Sequence, residues 1–337
     1  MKEIEKMKHI PYSILELATV GAGKTPKQVF DNSLELAQKA ESFGYKRFWL
    51  AEHHNMLSIA SSATAVLMGH IAGGTKSIRV GSGGIMLPNH SSLLIAEQFG
   101  TLASLYPGRI ELGLGRAPGT DQLTANAIRP DRMQAVYRFP EEMHNIQRYF
   151  SKENQQAKVR VPIAEGLDVP IYILGSSTDS AHLAAKEGLP YVFASHFAPG
   201  QLLEALDIYY NNFQPSQYLK EPYTMAGINV VAAETDEEAD TISTSMLRLM
   251  LGVMTGKIDY MQPPIKMTPE LKQVSIDPAF QRMLKYAFVG SKDSVRQKTK
   301  AFIKQTGVNE IIAVSHIYHQ EDRINSFRLF SEAMNEI

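Results

Sequence analysis

The sequence predicts an α/β protein with one domain over residues 1–337, a (β/α)8 TIM barrel with insertions after strands four and seven. Three observations lead to this prediction: short apolar runs alternate with amphipathic segments, eight of these runs have strand length, and no linker interrupts the 337 residues. A chain of this length is long for one small α/β sheet, but it suits one large barrel with insertions.

Four strands and three helices account for the first third of the chain. Each predicted strand is a short apolar run, and each predicted helix carries apolar residues on one face. The first helix is the clearest, because Pro26 suits its first turn and Gly44 suits its end. The predicted strands are residues 12–17, 47–51, 79–87 and 109–115, and the helices between them are 26–43, 61–72 and 94–105.

The second part of the chain continues the alternation with longer interruptions. Two polar stretches, 118–138 and 151–168, delay strand five, and a helix near 141–149 separates them. The Pro-rich segment 255–277 is the least periodic and is predicted to be an inserted loop or lid. The remaining strands are predicted at 170–174, 191–194, 225–232 and 310–315, and the helices at 177–186, 199–213, 245–254, 291–306 and 323–337.

Composition and charge exclude several classes of protein. Lys and Arg number 34 and Asp and Glu 35, so the net charge is −1, which argues against nucleic acid or an anionic membrane as a partner. The absence of cysteine excludes disulfides, thiolate metal sites and a cysteine nucleophile. The first 18 residues lack the apolar region of a signal peptide, and no apolar run reaches the ~18 residues of a spanning helix. We therefore expect a soluble cytoplasmic enzyme.

In a (β/α)8 barrel, chemistry is located at the C-terminal ends of the strands. Polar residues and glycines are concentrated at those ends in this sequence. They are Glu16, Glu52, His53, His54, Gly83, Gly84, Gly115, Arg116, Gly175, Ser176, Ser177, Ser195, His196, Ser315 and His316.

The segment 18–25, ATVGAGKT, differs by one residue from a phosphate-binding P-loop, because Ala18 replaces the first glycine. It follows a predicted strand and precedes a predicted helix, as a P-loop does. No apolar strand ending in a magnesium-binding aspartate follows it. A nucleoside triphosphatase is therefore a minor alternative, and a glycine-rich connecting loop explains the segment equally simply.

His53 and His54 follow the second predicted strand. Neighbouring residues of a regular strand face opposite sides, so only one of the two is expected to point into the barrel. Neither H-x-H nor H-E-x-x-H spacing occurs, so we expect no metal site. Acid–base or hydrogen-bonding chemistry by one histidine is the functional interpretation. A buried histidine bonded to a carbonyl is the structural alternative, and the sequence alone leaves both open.

Two further segments suggest a phosphorylated ligand and a flat ligand. Arg116 ends strand four, and the serine-rich segment 175–180 begins a helix, where free N–H groups and hydroxyls bind phosphate well. A serine N-cap without a ligand is the alternative. Three glycines within residues 80–84 mark a close approach to backbone, either by a flat aromatic ligand or at a tight barrel corner.

Six ordered segments resemble the bacterial-luciferase-like flavin-dependent monooxygenases, over residues 11 to about 235 and again near the C-terminus. The resemblance implies a TIM barrel that binds FMN. The segments are WLAEHH (49–54), VGSGGIMLPNH (80–90), AEQFGTLASLYPGRIELGLGRAPGTD (96–121), ILGSSTDSAHLAAKEGLP (173–190), FASHFAP (193–199) and FVGSKDSV (288–295).

The resemblance also implies roles for single residues. His53 matches the active-site histidine, Arg116 matches the phosphate-contacting arginine, and Glu97 matches an acidic position that supports the flavin site or a subunit contact. Luciferase's reactive cysteine corresponds to Gly115 here and its phosphate-loop glutamate to Ser176, departures that argue against light emission. The non-prolyl cis peptide beneath the flavin matches Gly83 and Gly84, and the phosphate loop matches Ser176, Ser177 and Ser180.

The activity that the resemblance implies is oxygenation of a small organic substrate by reduced FMN and O2 through a C4a-(hydro)peroxyflavin. An NAD(P)H-dependent flavin reductase is the expected partner, and a homodimer the expected assembly. A flavin-binding protein of the same fold without turnover is the alternative, although the presence of His53 and Arg116 argues against it.

Overall fold

The strands of the computed structural model, which describes residues 10–337, are all parallel to their neighbours. Residues 1–9 of the predicted domain lie outside the described part. The strands are β1 (Tyr12–Glu16), β2 (Arg47–Leu50), β3 (Arg79–Met86), β4 (Ile110–Gly115), β5 (Ile171–Gly175), β6 (Tyr191–Phe193), β7 (Thr224–Ala233), β8 (Ala287–Ser291) and β9 (Glu310–Val314).

Eight of these strands close into a ring, which confirms the predicted (β/α)8 barrel. β1 pairs with β2 and β9, and β7 pairs with both β6 and β9. β8 pairs only with the last part of β7, from Asn229 to Ala233, and stands outside the ring. The sequence analysis did not predict β8 as a strand, because this short run is interrupted by glycine and continues directly into a helix.

Helices follow most strands, and their apolar faces cover the ring. Helix α1 begins where the sequence predicts, with Pro26 in its first turn and a capping box between Thr25 and Gln28. The helices are α1 (Pro26–Ser42), α2 (Thr64–Gly74), α3 (Ser92–Leu105), α4 (Gln122–Ile128), α5 (Arg132–Tyr137), α6 (Phe139–Phe150), α7 (Thr178–Glu187), α8 (Leu202–Asn212), α9 (Asp236–Thr255), α10 (Pro269–Ser275), α11 (Pro278–Met283), α12 (Lys292–Thr306) and α13 (Gln320–Asn335).

The two insertions contain more helix than the sequence predicts. The stretch after β4, predicted as a polar loop, forms α4 and α5, and the insertion after β7 contains α10 and reaches α11. Helix α9 begins at Asp236, nine residues before the predicted start at 245, because the Thr235 side chain caps it. Short polar helices lack the apolar periodicity on which the prediction depended.

Buried ion pairs fill the N-terminal end of the barrel. The Arg47 guanidinium lies 2.8 Å from the Glu111 carboxylate and also pairs with Glu310. The Trp49 indole N–H donates to Glu111 at 2.8 Å. All four side chains are essentially inaccessible to water. Because these groups satisfy one another, they offer no unpaired charge to a ligand, and the candidate site lies at the opposite, C-terminal mouth.

Candidate active site

The C-terminal mouth brings Arg116 to the serine-rich turn, as the sequence predicts. The Arg116 guanidinium lies 2.7 Å from Oδ2 of Asp179, in the first turn of α7. This hydrogen bond lowers the pKa of Asp179. Ser176 is exposed, and Ser177 occupies the N-cap of α7 without a side-chain capping bond. Both hydroxyls and the first amides of α7 are therefore available to an anion at the mouth.

The third predicted serine faces the protein. The Ser180 hydroxyl donates to the carbonyl of Ser177 at 2.7 Å and lies 3.0 Å from the hydroxyl of Tyr191. A Cβ on Gly175 would overlap this hydroxyl, so Ser180 packs against the end of β5. Its predicted contact with phosphate stays a prediction.

A second arginine, which the sequence analysis missed, lies beside Arg116. Arg132, in α5, is only 5% exposed and forms no salt bridge among the described residues. Its Nη2 makes one long bond of 3.4 Å to the carbonyl of Arg116, and its Nε has no partner. Burial lowers the pKa of Arg132. A buried guanidinium without a counter-charge is costly, so this position is suited to an anionic ligand.

His53 lies at the mouth, beyond the end of β2. The strand ends at Leu50, so the strand alternation used to separate His53 from His54 does not apply to these residues. Nδ1 of His53 lies 3.2 Å from the carbonyl oxygen of Gly119, which can only accept, so Nδ1 carries the proton and Nε2 is a free acceptor. Burial lowers the pKa of His53, which keeps the ring neutral at pH 7.

Glu52 holds the loops around His53 in place. Its buried carboxylate accepts hydrogen bonds from His54 and His90, both at 2.9 Å, and from the amide of Met86 at 2.9 Å. Burial opposes ionisation of Glu52, but these bonds hold its pKa down to about 2. His54 is thus bound to the carboxylate of Glu52.

The peptide bond between Gly83 and Gly84 is cis, as the resemblance implies. Both glycines also have reasons within the protein: a Cβ on Gly83 would contact Leu15 at 2.5 Å, and one on Gly84 would lie 2.7 Å from the carbonyl oxygen of Gly113. A Cβ on Gly81 would overlap the indole of Trp49. The glycine-rich strand therefore makes room for Trp49 and for β4, an explanation that the sequence analysis did not weigh.

The P-loop-like segment serves to join two parts of the mouth. The amide of Ala22 donates to Met261 at 2.8 Å, and the amide of Lys24 donates to Gly21 at 3.0 Å. Thr25 caps α1. Because these amides already have partners, the loop cannot present them to a triphosphate as a P-loop does.

Three further polar residues of the mouth were not assigned a role by the sequence analysis. They are His196 after β6, Asn229 in β7 and His316 after β9. Each has a buried side-chain atom without a hydrogen-bond partner. His196 and His316 follow the C-terminal ends of barrel strands, where barrel enzymes have their functional residues, so the sequence alone selects both. Nothing in the sequence distinguishes Asn229.

Two features are absent from residues 10–337. No group of three or more His, Asp or Glu side chains in this part of the chain is arranged to hold a metal ion. None of its helices combines the length and the apolarity needed to cross a bilayer.

Comparison with known proteins identifies relatives over nearly the whole chain. The family model of luciferase-like monooxygenases matches residues 10–310. A Bacillus subtilis protein without an assigned function is 48% identical over 95% of both chains. The Escherichia coli luciferase-like monooxygenase is 42% identical over 98% of both chains. The N-acetyl-S-alkylcysteine monooxygenase of Bacillus subtilis is 32% identical over 96% of this chain and 98% of its own.

Solved structures have the same fold. Apo-MsnO8 superposes with a TM-score of 0.88 at 33% identity, over 97% of this chain and 99% of its own. The oxygenating constituent of 3,6-diketocamphane monooxygenase from Pseudomonas putida, a type II Baeyer–Villiger monooxygenase solved in complex with FMN, has a TM-score of 0.75 at 19% identity. It covers 98% of this chain and 99% of its own.

Proposed function

The chain belongs to the luciferase-like monooxygenase family, and on that premise we propose that it is a flavin-dependent monooxygenase that uses reduced FMN and O2 to oxygenate a small organic substrate. Membership of the family supports a monooxygenase. The choice of FMN and the assignment of residues rest on the geometry of the mouth.

The buried, unpaired guanidinium of Arg132 beside Arg116 is the observation that carries the proposal. The phosphate of FMN would supply the counter-charge that the Arg132 guanidinium lacks, and Arg116 would be the second cation beside it. Ser176, Ser177 and the amides of α7 would add donors, and Ser180 would support the turn from behind. Riboflavin, which has no phosphate, cannot make these contacts.

Bound reduced FMN supplies the electrons for activation of O2. His53 then serves as the proton-transfer group at the mouth. The carbonyl of Gly119 fixes the proton on Nδ1, so Nε2 can take a proton from the reacting group and return it. Glu52 anchors His54 and His90, which holds the backbone on either side of the site in position.

The outer faces of α2 and α3 suit a second copy of the chain. Val66 is 73% exposed, Leu94 52% and Leu105 63%, and Glu97 lies among them on the exposed face of α3. Exposed apolar groups of this kind mark interaction surfaces. We expect a homodimer in solution, and Leu94→Glu should shift its mass towards that of the monomer in light scattering. A separate NAD(P)H-dependent reductase would supply the reduced FMN.

The central experiment is a titration of the protein with FMN and with riboflavin, followed by chemical reduction and measurement of O2 uptake. We expect FMN to bind roughly tenfold tighter or more, because each charge-assisted contact contributes about 1.5–3 kcal/mol. Equal affinities would contradict the phosphate site. Tight FMN binding with O2 uptake no faster than that of free reduced FMN would favour the alternative, a flavin-binding protein without turnover.

A further inference from the structure

The side of the mouth formed by β6, β7 and β9 holds a group of uncharged polar side chains that the proposed function does not use. Asn229 is 1% exposed and His316 4% exposed, and His196 is partly buried. Oδ1 of Asn229 and Nδ1 of both histidines lie away from water without a hydrogen-bond partner. We call these three residues the His–Asn cluster.

The His–Asn cluster faces the barrel interior. Met225 of β7 belongs to the apolar group inside the barrel, and Gly227 and Asn229 follow it at two-residue steps, so all three face the same side. Asn229 also lies in register with Val314, another member of that interior group. A Cβ on Gly227 would overlap Nδ1 of His196, so this imidazole covers the glycine within the barrel.

His196 lies close to the other two residues and to His53. The Asn229 amide donates to the carbonyl of His196 at 2.7 Å, which leaves its own oxygen as an acceptor only. Burial and, to a smaller extent, the neighbouring His53 lower the pKa of His196 to about 4. Burial, His196 and Arg323 lower the pKa of His316 to about 3. Both rings are therefore neutral at pH 7, and each carries one N–H donor and one acceptor nitrogen.

A partner for this cluster must meet two chemical conditions. It must donate a hydrogen bond to Asn229 Oδ1, and it can accept one from an imidazole N–H. It must also be uncharged, because Arg323, the cation that acts on His316, is already paired with the carboxylate of Glu16. A carboxylate or ammonium group placed here would be buried without a counter-charge. Amides and alcohols meet both conditions.

We propose that the His–Asn cluster is the substrate-binding subsite and that it recognises an uncharged amide or hydroxyl group of the substrate. This inference rests on the proposed function, since it assigns the substrate of the same mouth. The phosphate of FMN would lie at the β4–β5 side and the polar group of the substrate at the β6–β7–β9 side, with His53 across the mouth on the β2 side.

The remainder of this substrate would be apolar. Helix α11, from the insertion after β7, packs against the turn Pro199–Gln201 that follows His196. This insertion and its surroundings expose large apolar side chains, including Phe197 at 57% and Ile276 at 54%. A short alkyl chain anchored at the cluster would find apolar surface there.

The test compares four probes of the same chain length: hexanamide, hexanol, hexanoate and hexylammonium. Binding is followed by the visible difference spectrum of the FMN-loaded oxidised protein, and by thermal stabilisation of the flavin-free protein. We expect the amide and the alcohol to bind at least roughly tenfold tighter than either ion, because a buried charge stays unpaired here. Failure of FMN to bind would contradict the proposed function. Thermal stabilisation of the flavin-free protein by the probes would still test whether the His–Asn cluster binds neutral groups.

Substitutions test whether the His–Asn cluster binds the neutral probes. Asn229→Leu should weaken the binding of hexanamide and hexanol roughly tenfold or more, because the acceptor Oδ1 is lost, and should leave FMN affinity unchanged. His316→Leu provides the same test if Asn229→Leu does not fold. The matched control is Asn154→Leu, because Asn154 is also 1% exposed with an unpartnered Oδ1 but lies after α6, outside the barrel. This control should bind hexanamide and hexanol as tightly as the wild type does.

Four results would overturn the inference. They are equal binding of ions and neutral probes, no binding of any probe at millimolar concentration, unchanged binding of hexanamide and hexanol to folded Asn229→Leu, and a loss of FMN affinity in that variant. The last result would assign the cluster to the flavin ring, whose edge is also uncharged and polar.

Discussion

Replacement of Arg132 by leucine should change ligand binding and folding in opposite directions. Arg132 is 5% exposed and forms no salt bridge among residues 10–337. A charge that is buried without a counter-charge is costly, and leucine retains apolar volume at the same position. We therefore expect flavin-free Arg132→Leu to unfold a few degrees above the wild type. A gain in stability together with a loss of ligand affinity is the trade-off expected of a binding residue.

Arg132→Leu should also weaken the binding of FMN selectively. Loss of a charge-assisted contact to the phosphate costs about 1.5–3 kcal/mol, which raises the Kd for FMN roughly ten- to hundred-fold. Riboflavin affinity should not change. Arg116→Leu should have a smaller effect, about fivefold or less, because that side chain is 45% exposed and already pairs with Asp179.

Fluorescence titrations with both flavins, and calorimetric melting of the flavin-free proteins, measure these effects. Arg129→Leu is the matched control, since Arg129 lies in the same segment but has partners in Asp131 at 2.9 Å and the carbonyl of His90 at 2.8 Å. It should lose stability and keep the ratio of FMN to riboflavin affinity. The reasoning is refuted if Arg132→Leu destabilises the protein while that ratio stays at the wild-type value.

Four other substitutions test the mouth. His53→Ala should lower the product formed per reduced FMN by ~10²–10⁴-fold with little change in FMN affinity. His54→Ala should lower the free energy of unfolding by about 1–3 kcal/mol and leave turnover unchanged. The opposite pattern would reverse the roles of the two histidines. Gly84→Val should destabilise the barrel itself, because its Cβ would lie 2.7 Å from the Gly113 oxygen; an unchanged melting temperature would contradict this. Glu52, with a pKa lowered to about 2, should contribute about 3 kcal/mol at pH 7 that is lost as pH falls from about 4.5 to 2. Urea unfolding of Glu52→Gln over that range should lack this part of the pH dependence.

The sequence predicted the barrel because the barrel repeats one local pattern. The eight strands of the ring are short, largely apolar runs, and the ends of those runs identified the mouth, including His53 and Arg116. The family resemblance was confirmed by the family model, which matches residues 10–310. The prediction was wrong where the pattern is weak, at β8 and at the short helices α4, α5, α10 and α11.

The glycine-rich strand shows a limit of reading local sequence. Close approach to backbone was predicted correctly, but a flat ligand and a barrel corner were the only causes considered. In the structure, Gly81 accommodates the indole of Trp49, and Gly84 accommodates the backbone of β4. Trp49 is 32 residues before Gly81, so no local window contains both.

The sequence by itself determined the order of strands and helices, the residues at the strand ends and the chemistry those residue types permit. Only the tertiary structure decided which side chains lack a counter-charge or have an atom without a hydrogen-bond partner. Arg132 resembles any arginine of a polar loop, and Asn229 resembles any polar residue of a strand, until the fold buries both. Burial and charge compensation depend on residues far apart in the chain, whereas periodicity depends only on near neighbours, so the first requires the folded molecule and the second does not.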